Sequence, residues 1–155
     1  MIETGTQHRA FAGVDVGSST AKAVVIDADG VVLGDDVRPS GMDFAASGAA
    51  ALAAALDHAG LARADLGAVV ATGYGRDNLE GADGTRTEIA CHGRGAYHHH
   101  GHAMTVVDVG GQDNKVIRIS EVGKRLNFKM NRKCAAGTGA FLEEIALRLT
   151  VPLSE

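Results

Sequence analysis

The segment that decides the fold is "FAGVDVGSSTAKAVVID", which occupies Phe11–Asp27. Its apolar residues form two short runs, and a polar turn rich in glycine and hydroxyl side chains separates them. This pattern predicts two strands joined by a tight turn. A closely similar segment, "MTVVDVGGQDNKVIRIS", follows at Met104–Ser120. The two segments match at a constant offset, and the matched pairs are Asp15 with Asp108, Gly17 with Gly110, and Lys22 with Lys115.

The two copies also continue in the same order, with a third strand-like run and then a helical segment. These elements span residues 31–37 and Asp43–Ala59 in the first copy, and residues 124–130 and Gly137–Leu149 in the second. The first copy extends further, with a buried strand over Leu66–Gly75 and a helix over Thr87–Gly101. Alternating strands and helices predict an α/β fold, here built from two βββα units.

This repeat predicts how the chain is organised. We expect an N-terminal tail over residues 1–10, a first subdomain over residues 11–103 and a second subdomain over residues 104–155. The second copy stops soon after its first helix, so the later strand and helix of the first copy have no counterpart. We therefore expect these 155 residues to be the amino-terminal portion of a longer protein.

Composition excludes several classes of protein. The net charge of −4 argues against a general nucleic-acid-binding protein, which would carry an excess of basic residues. No apolar run reaches the roughly 18 residues that a membrane-spanning helix needs, and the N-terminus lacks the pattern of a signal peptide. The two cysteines, Cys91 and Cys134, form no disulfide framework. Together these features predict a cytoplasmic protein in a reducing compartment.

The glycine-rich turns are candidate phosphate-binding sites. In turns such as GSST and GGQD, successive backbone N–H groups can point into one concavity that binds an anion. Glycine permits the necessary backbone angles and leaves space for a phosphate, and the hydroxyls of Ser18, Ser19 and Thr20 add donors. Asp15 and Asp108, at the strand ends, suit a hydrated Mg²⁺. Two such turns would hold the phosphates of one nucleotide from both sides; the alternative is a pair of ordinary hairpins.

The motifs together resemble a known family. The two turns look like the phosphate-1 and phosphate-2 loops of the actin, heat-shock ATPase and sugar-kinase superfamily, whose duplicated ribonuclease H-like domains bind Mg-ATP. The segments "VDVGSSTAK", "ATGYGR", "EIACHGRGA", "VVDVGGQDNKVI" and "KMNRKCAAGTGAFLE" are similar to a narrower branch. That branch comprises the ATPase activators of 2-hydroxyacyl-CoA dehydratases and the related ATPase subunits of benzoyl-CoA reductases, the BadF/BadG/BcrA/BcrD-type ATPases.

The resemblance implies an activity and a set of binding residues. It implies an ATPase that drives low-potential electrons into a dehydratase or reductase component, with reduced ferredoxin or flavodoxin as the donor. Asp15, Gln112 and Asp113 are the candidate catalytic residues, and Asp15 and Asp108 would hold Mg²⁺ through water. The candidate nucleotide-binding residues are Gly17, Ser18, Ser19, Thr20, Lys22, Asp108, Gly110, Gly111, Gly137, Thr138 and Gly139. We expect the 155 residues alone to hydrolyse ATP poorly, because the part that binds adenosine is missing.

Cys134 is ambiguous when it is considered by itself. It could be a buried structural thiol, a nucleophile, although no neighbouring base is visible, or a metal ligand that needs partners, since a [4Fe–4S] cluster takes four thiolates. The resemblance implies the last of these, with one cluster shared by two identical subunits that each donate two cysteines. The second cysteine would lie beyond residue 155, and Cys91 is a less suitable substitute.

Two further features each have a structural and a functional interpretation. The histidines between His98 and His102 invite a zinc site, but a polar helix end that favours the helix dipole is the simpler interpretation. The basic residues Lys124, Arg125, Lys129, Arg132 and Lys133 fit a solvated edge strand, or a surface that binds an acidic partner. Two other functions stay open at this point: a sugar-kinase-type phosphotransferase, which would not need Cys134, and an actin-like protein whose assembly is switched by nucleotide.

Overall fold

The computed structural model describes residues 10–111, 113–131 and 138–152. The chain divides into two compact units, Met1–Thr87 and Glu88–Glu155. The sequence analysis placed the boundary later, between residues 103 and 104. The difference arises because the helix Glu88–His100 packs against the strands that follow it, so it belongs to the second unit.

The first unit is a five-stranded sheet with one long helix. Its strands follow the order β3-β2-β1-β4-β5, in which β1, β2 and β3 are antiparallel neighbours and β4 and β5 extend the sheet in parallel with β1. The elements are β1 (Ala10–Val16), β2 (Thr20–Ile26), β3 (Val32–Pro39), α1 (Phe44–Ala59), β4 (Leu66–Thr72) and β5 (Gly84–Thr85). Short 3₁₀ helices at Arg63–Asp65 and Arg76–Asn78 flank β4.

Alternation along the strands builds the core of the first unit. Every second residue of β1 is buried, and Val14 and Val16 are fully inaccessible to solvent. The helix α1 begins after Asp43, whose carboxylate caps the backbone N–H of Ala46, and ends at Gly60, which adopts a left-handed conformation. Its alanine-rich face lies very close to β3, because a Cβ on Gly34 would be 2.3 Å from the carbonyl oxygen of Ala55.

The second unit contains a three-stranded antiparallel sheet of order β6-β7-β8. Its elements are α2 (Glu88–His100), β6 (Met104–Val109), β7 (Asn114–Ile119), β8 (Arg125–Asn131) and α3 (Gly139–Leu149). A small core of Ile89, Ile117 and Ile119 joins α2 to β7. Gly93 allows this close approach, because a Cβ there would be 2.9 Å from Cδ1 of Ile119.

The structure confirms the predicted α/β architecture and the repeated strand-strand-strand-helix order. The strand β5 and the two 3₁₀ helices were not predicted. Gln112, Cys134 and Gly137 lie outside the described residues. Within the part of the chain that the structure describes, no helix has both the length and the apolar character required to cross a membrane.

Candidate functional site

The first candidate site is the hairpin loop between β1 and β2. The turn closes with a hydrogen bond from the N–H of Gly17 to the carbonyl of Thr20 at 3.1 Å. Antiparallel pairing places Asp15 opposite Lys22, and Nζ of Lys22 donates to Oδ2 of Asp15 at 3.0 Å. The loop therefore places a carboxylate, an ammonium and two serine hydroxyl groups close to one tight turn.

Ser40 fixes the shape of this loop from outside the motif. Its Oγ donates to the carbonyl of Gly17 at 2.6 Å, and its N–H donates to the carbonyl of Ser19 at 3.0 Å. The residue is 2 % exposed, although it lies directly after β3. The sequence analysis missed Ser40, because no local pattern shows that the end of β3 meets this turn.

A second loop, at Gly73–Arg76, lies against the end of β1. Parallel pairing of β1 with β4 sets Asp15 beside Thr72. Gly73 has a φ of +92°, and a Cβ there would lie 2.4 Å from both Oδ1 of Asp15 and the carbonyl oxygen of Val16. The N–H of Gly75 donates to that same carbonyl at 2.8 Å. The geometry of this loop thus depends on glycine at position 73.

Two polar atoms at this end of the sheet are buried without a hydrogen bond among the described residues. They are Oδ1 of Asp15 and Oγ1 of Thr72. Buried polar atoms are nearly always hydrogen-bonded, to protein, water or a ligand. A hydrated cation or a nucleotide would supply such a partner, so this strand end fits a Mg-nucleotide.

The second candidate site is the hairpin between β6 and β7. The N–H of Gly110 donates to the carbonyl of Asp113 at 2.8 Å, which repeats the turn closure of the first hairpin. Asp108 lies opposite Lys115, as Asp15 lies opposite Lys22. A Cβ on Gly110 would be 3.1 Å from the carbonyl oxygen of Asp113, which is closer than an ordinary van der Waals contact, so a side chain at this position would be crowded.

Lys115 is the centre of a buried polar network in this hairpin. Its side chain is 4 % exposed, and its Nζ lies 3.2 Å from Oε2 of Glu88 and 3.5 Å from Oδ2 of Asp108, and it donates a short hydrogen bond to Asp113. Burial by itself lowers the pKa of Lys115, but the bond to Asp113 and the charge of Glu88 outweigh it. The pKa of Lys115 is therefore raised, and the side chain is a permanent cation.

The helix α2 supplies two residues that the sequence analysis did not assign to the site. Glu88 contacts Lys115, and Nδ1 of His92 lies 2.7 Å from Oδ2 of Asp108. Both residues stand in the "EIACHGRGA" segment, which carried part of the family resemblance. Their spacing of four on one helix was the available signal, since such residues share a face.

The start of α3 is attached to the second hairpin loop. The N–H of Gly139 donates to the carbonyl of Gly110 at 2.9 Å, and that of Ala140 donates to the carbonyl of Gly111 at 3.2 Å. Thr138, at the N-cap position of the helix, is fully buried. The structure thus brings Thr138 and Gly139 to the predicted phosphate-2 loop.

The predicted site residues therefore form two groups, one in each unit. The first group gathers Asp15, Gly17, Ser18, Ser19, Thr20 and Lys22, and the second gathers Asp108, Gly110, Gly111, Asp113, Thr138 and Gly139. Cys91 is a partly buried free thiol on α2. No group of three or more metal-ligating side chains occurs among the described residues, which include the histidines at the end of α2.

Comparison with known proteins identifies the family. The model of the BadF/BadG/BcrA/BcrD ATPase family matches residues 12–155. The chain belongs to the BadF/BadG/BcrA/BcrD ATPase family. This result confirms the resemblance that the two hairpins and the "CAAGTG" segment indicated.

Named relatives within the BadF/BadG/BcrA/BcrD ATPase family agree with this assignment. The chain is 43 % identical, over 145 residues, to the activator of lactoyl-CoA dehydratase from Anaerotignum propionicum, and the match covers 92 % of this chain and 55 % of that protein. The chain spans about half the length of the curated relatives it matches.

Two solved structures of the family share the fold. One is component A of (R)-2-hydroxyglutaryl-CoA dehydratase from Acidaminococcus fermentans, with a TM-score of 0.87 and 38 % identity over 94 % of this chain and 56 % of that one. The other is the activator of 2-hydroxyisocaproyl-CoA dehydratase from Clostridium difficile with bound ADPNP, with a TM-score of 0.82 and 36 % identity over 94 % and 54 %.

Proposed function

We propose that the intact protein containing this chain is an ATP-driven activator that donates low-potential electrons to a 2-hydroxyacyl-CoA dehydratase. The observation that carries the proposal is the pair of matched Asp-glycine hairpins. At the first of them, Oδ1 of Asp15 and the neighbouring Oγ1 of Thr72 on β4 are buried and have no hydrogen-bond partner in the part of the chain that the structure describes. The related proteins described above support the choice of acceptor, because all three are named as parts of 2-hydroxyacyl-CoA dehydratase systems.

The nucleotide part of the proposal assigns a role to each hairpin. The backbone N–H groups and hydroxyls of Ser18, Ser19 and Thr20 would donate to phosphate oxygens, and Lys22 would neutralise part of their charge. Asp15 and Asp108 would hold Mg²⁺ through water. ATP and water would give ADP and phosphate, with Gln112 or Asp113 orienting the attacking water.

Of the two candidates for orienting water, Asp113 has a contact that bears on this role. It is hydrogen-bonded to the buried Lys115 through Oδ1, so one oxygen of its carboxylate is already engaged. Gln112 directly precedes it in the sequence. We therefore propose Gln112 first for orienting water, and Asp113 for keeping the turn in shape.

The electron-transfer part of the proposal rests on Cys134. This residue would ligate a [4Fe–4S] cluster shared by a homodimer, together with a second cysteine from a later part of each chain. The cluster supplies one-electron redox chemistry when it is bound. Cys134 precedes the start of α3 by five residues in the sequence, and the first amides of α3 bond to the phosphate-2 loop. A change at the nucleotide would therefore be separated from Cys134 by only a short stretch of sequence.

The electron donor, the electron acceptor and the cellular location follow from this chemistry. One electron would enter from reduced ferredoxin or flavodoxin and would leave to the dehydratase for each reduction cycle. A cluster that reacts with oxygen would be kept in a reducing cytoplasm. A benzoyl-CoA reductase would need the same chemistry from this chain, so the acceptor must be determined by experiment.

The experiment uses the full-length protein purified without oxygen. We expect a brown protein that contains about four iron and four sulfide per dimer and that reduces a 2-hydroxyacyl-CoA dehydratase only when ATP is present. A Cys134→Ser variant should lose the colour and the electron transfer but should still bind ATP. A colourless wild-type protein with sugar-stimulated ATP turnover would contradict the proposal, and so would nucleotide-dependent filaments without iron.

A further inference from the structure

The helix α2 directs two polar side chains at the second hairpin. Glu88 and His92 are four residues apart and so share one face of the helix. The neighbouring residues Ile89 and Gly93 are buried against the sheet. Because Gly93 lacks a Cβ, α2 lies close enough to β7 for the side chains of Glu88 and His92 to reach the carboxylates and the lysine of the hairpin.

The contact of His92 with Asp108 has a defined direction. An ionised carboxylate only accepts hydrogen bonds, so Nδ1 of His92 carries the hydrogen in the 2.7 Å contact with Oδ2 of Asp108. The Nζ of Lys115 approaches the same oxygen at 3.5 Å. Both contacts are made by Oδ2, so they hold that oxygen in place. Oδ1 takes part in neither contact.

The first hairpin has no comparable arrangement. There the salt bridge of Asp15 is made with Lys22, whose side chain is 43 % exposed. At the second hairpin the equivalent lysine is 4 % exposed and lies among three carboxylates, those of Glu88, Asp108 and Asp113. The two hairpins match in sequence and both pack against a helix, but among the described residues the ion pairs that join a helix to the paired aspartate and lysine occur at the second hairpin, through His92 and Glu88.

We propose that His92 is a positioning residue that fixes the Asp108 carboxylate for the hydrated Mg²⁺ of a bound nucleotide, with Glu88 holding Lys115 in support. The inference rests on the proposed function, because it assumes that Asp108 serves a Mg-nucleotide. Groups that orient a metal-binding carboxylate change metal affinity by about 10- to 100-fold when they are removed. The loss should therefore appear in Mg²⁺-dependent binding and be absent when Mg²⁺ is absent.

The test measures equilibrium binding of a non-hydrolysable ATP analogue to the full-length protein by calorimetry, with Mg²⁺ and with EDTA. Three variants are compared. His92→Leu removes the donor, His92→Asn keeps an amide N–H at the position of Nδ1, and His98→Leu makes the same change at an exposed histidine of the same helix. Thermal unfolding of each variant is measured in parallel.

We expect His92→Leu to weaken binding with Mg²⁺ by about 10- to 100-fold and binding with EDTA by less than about 2-fold. His92→Asn should recover most of the loss, and His98→Leu should match the wild type. Should His92→Leu fail to fold, His92→Gln replaces it, because its longer side chain moves the amide away from the Nδ1 position.

The inference is overturned if the Mg²⁺-dependent step of binding is the same in the wild type and His92→Leu. It is also overturned if His92→Leu loses binding equally in Mg²⁺ and in EDTA, or if His92→Asn restores nothing. Failure of the wild type to bind any nucleotide is a separate result, which removes the proposed function and this inference together.

Discussion

Gly73 offers a stringent test of how the loop Gly73–Arg76 is built against the end of β1. Its φ is +92°, and a Cβ would come within 2.4 Å of Oδ1 of Asp15 and of the carbonyl oxygen of Val16. Gly81 is a matched control, because it also has a positive φ, of +73°, but a Cβ there would meet no atom within 4 Å. The pair Gly73→Ala and Gly81→Ala therefore separates backbone strain from steric conflict.

The two substitutions should lower the free energy of unfolding by different amounts. Placing alanine in a left-handed conformation costs about 1–2 kcal/mol, and Gly81→Ala should lose that amount of unfolding free energy. Gly73→Ala carries the same strain and must also move the end of β1, and such overpacking costs about 1–3 kcal/mol more. The total expected for Gly73→Ala is roughly 2–5 kcal/mol.

The assay is urea denaturation of the full-length protein, followed by nucleotide binding under conditions where each variant stays folded. We expect Gly73→Ala to weaken binding, because the carboxylate of Asp15 must move, and Gly81→Ala to bind as the wild type does. Equal losses of stability in the two variants would refute the steric argument. Wild-type nucleotide affinity in Gly73→Ala would refute the link between this loop and the site.

Three further predictions follow from particular contacts. Lys115→Met should cost about 3–5 kcal/mol of unfolding free energy because it removes the buried cation that three partly buried carboxylates share, whereas Lys22→Met should cost less than about 1 kcal/mol. Similar costs in urea denaturation would contradict this contrast. Ser40→Ala should cost about 1–3 kcal/mol and weaken nucleotide binding, because the carbonyl of Gly17 loses its hydroxyl donor; calorimetry that shows unchanged binding would exclude a role for this contact. The N–H of Val69, and then Arg63, lower the pKa of Asp83 below 3.8, so the contribution of this carboxylate to stability is present above that pH and is lost as the pH falls through the lower pKa of the folded state. Asp83→Asn should therefore flatten the dependence of the urea midpoint on pH between about pH 5 and about pH 3. The same slope in the variant and the wild type would contradict this prediction.

The hairpins and the helices could be predicted from sequence because their signals are local. The alternation of apolar residues in β1 and the aspartate before each glycine turn lie within a few consecutive residues. The cap of α1 is equally local, since Asp43 bonds to a backbone N–H three residues later. The repeat added a second, independent sample of the same pattern, which is why the architecture was predicted in the correct order.

The missed features depend on contacts between distant parts of the chain. The strand β5 has only two residues, Gly84–Thr85, and exists because it pairs with β4. Ser40 reaches the first turn from the end of β3, and His92 reaches Asp108 from α2. A sequence shows which residues share a helix face, but it does not show which partner that face will meet.

The repeat also concealed a difference between its two copies. Lys22 and Lys115 occupy equivalent positions, and the sequence analysis treated only the first as a nucleotide ligand. The structure shows a difference that the sequence did not contain, since Lys115 is buried among carboxylates and Lys22 is partly exposed. Equivalent positions in a duplicated fold can therefore have different electrostatic roles.

The central proposal is that the two Asp-glycine hairpins serve the binding of a Mg-nucleotide. The most direct measurement is calorimetric binding of a non-hydrolysable ATP analogue to the full-length protein and to its Asp15→Asn and Asp108→Asn variants, with and without Mg²⁺. We expect one nucleotide per subunit and a loss of about 10-fold or more in Mg²⁺-dependent affinity for each variant. Wild-type affinity in both variants, or no binding by the wild type, would contradict the claim.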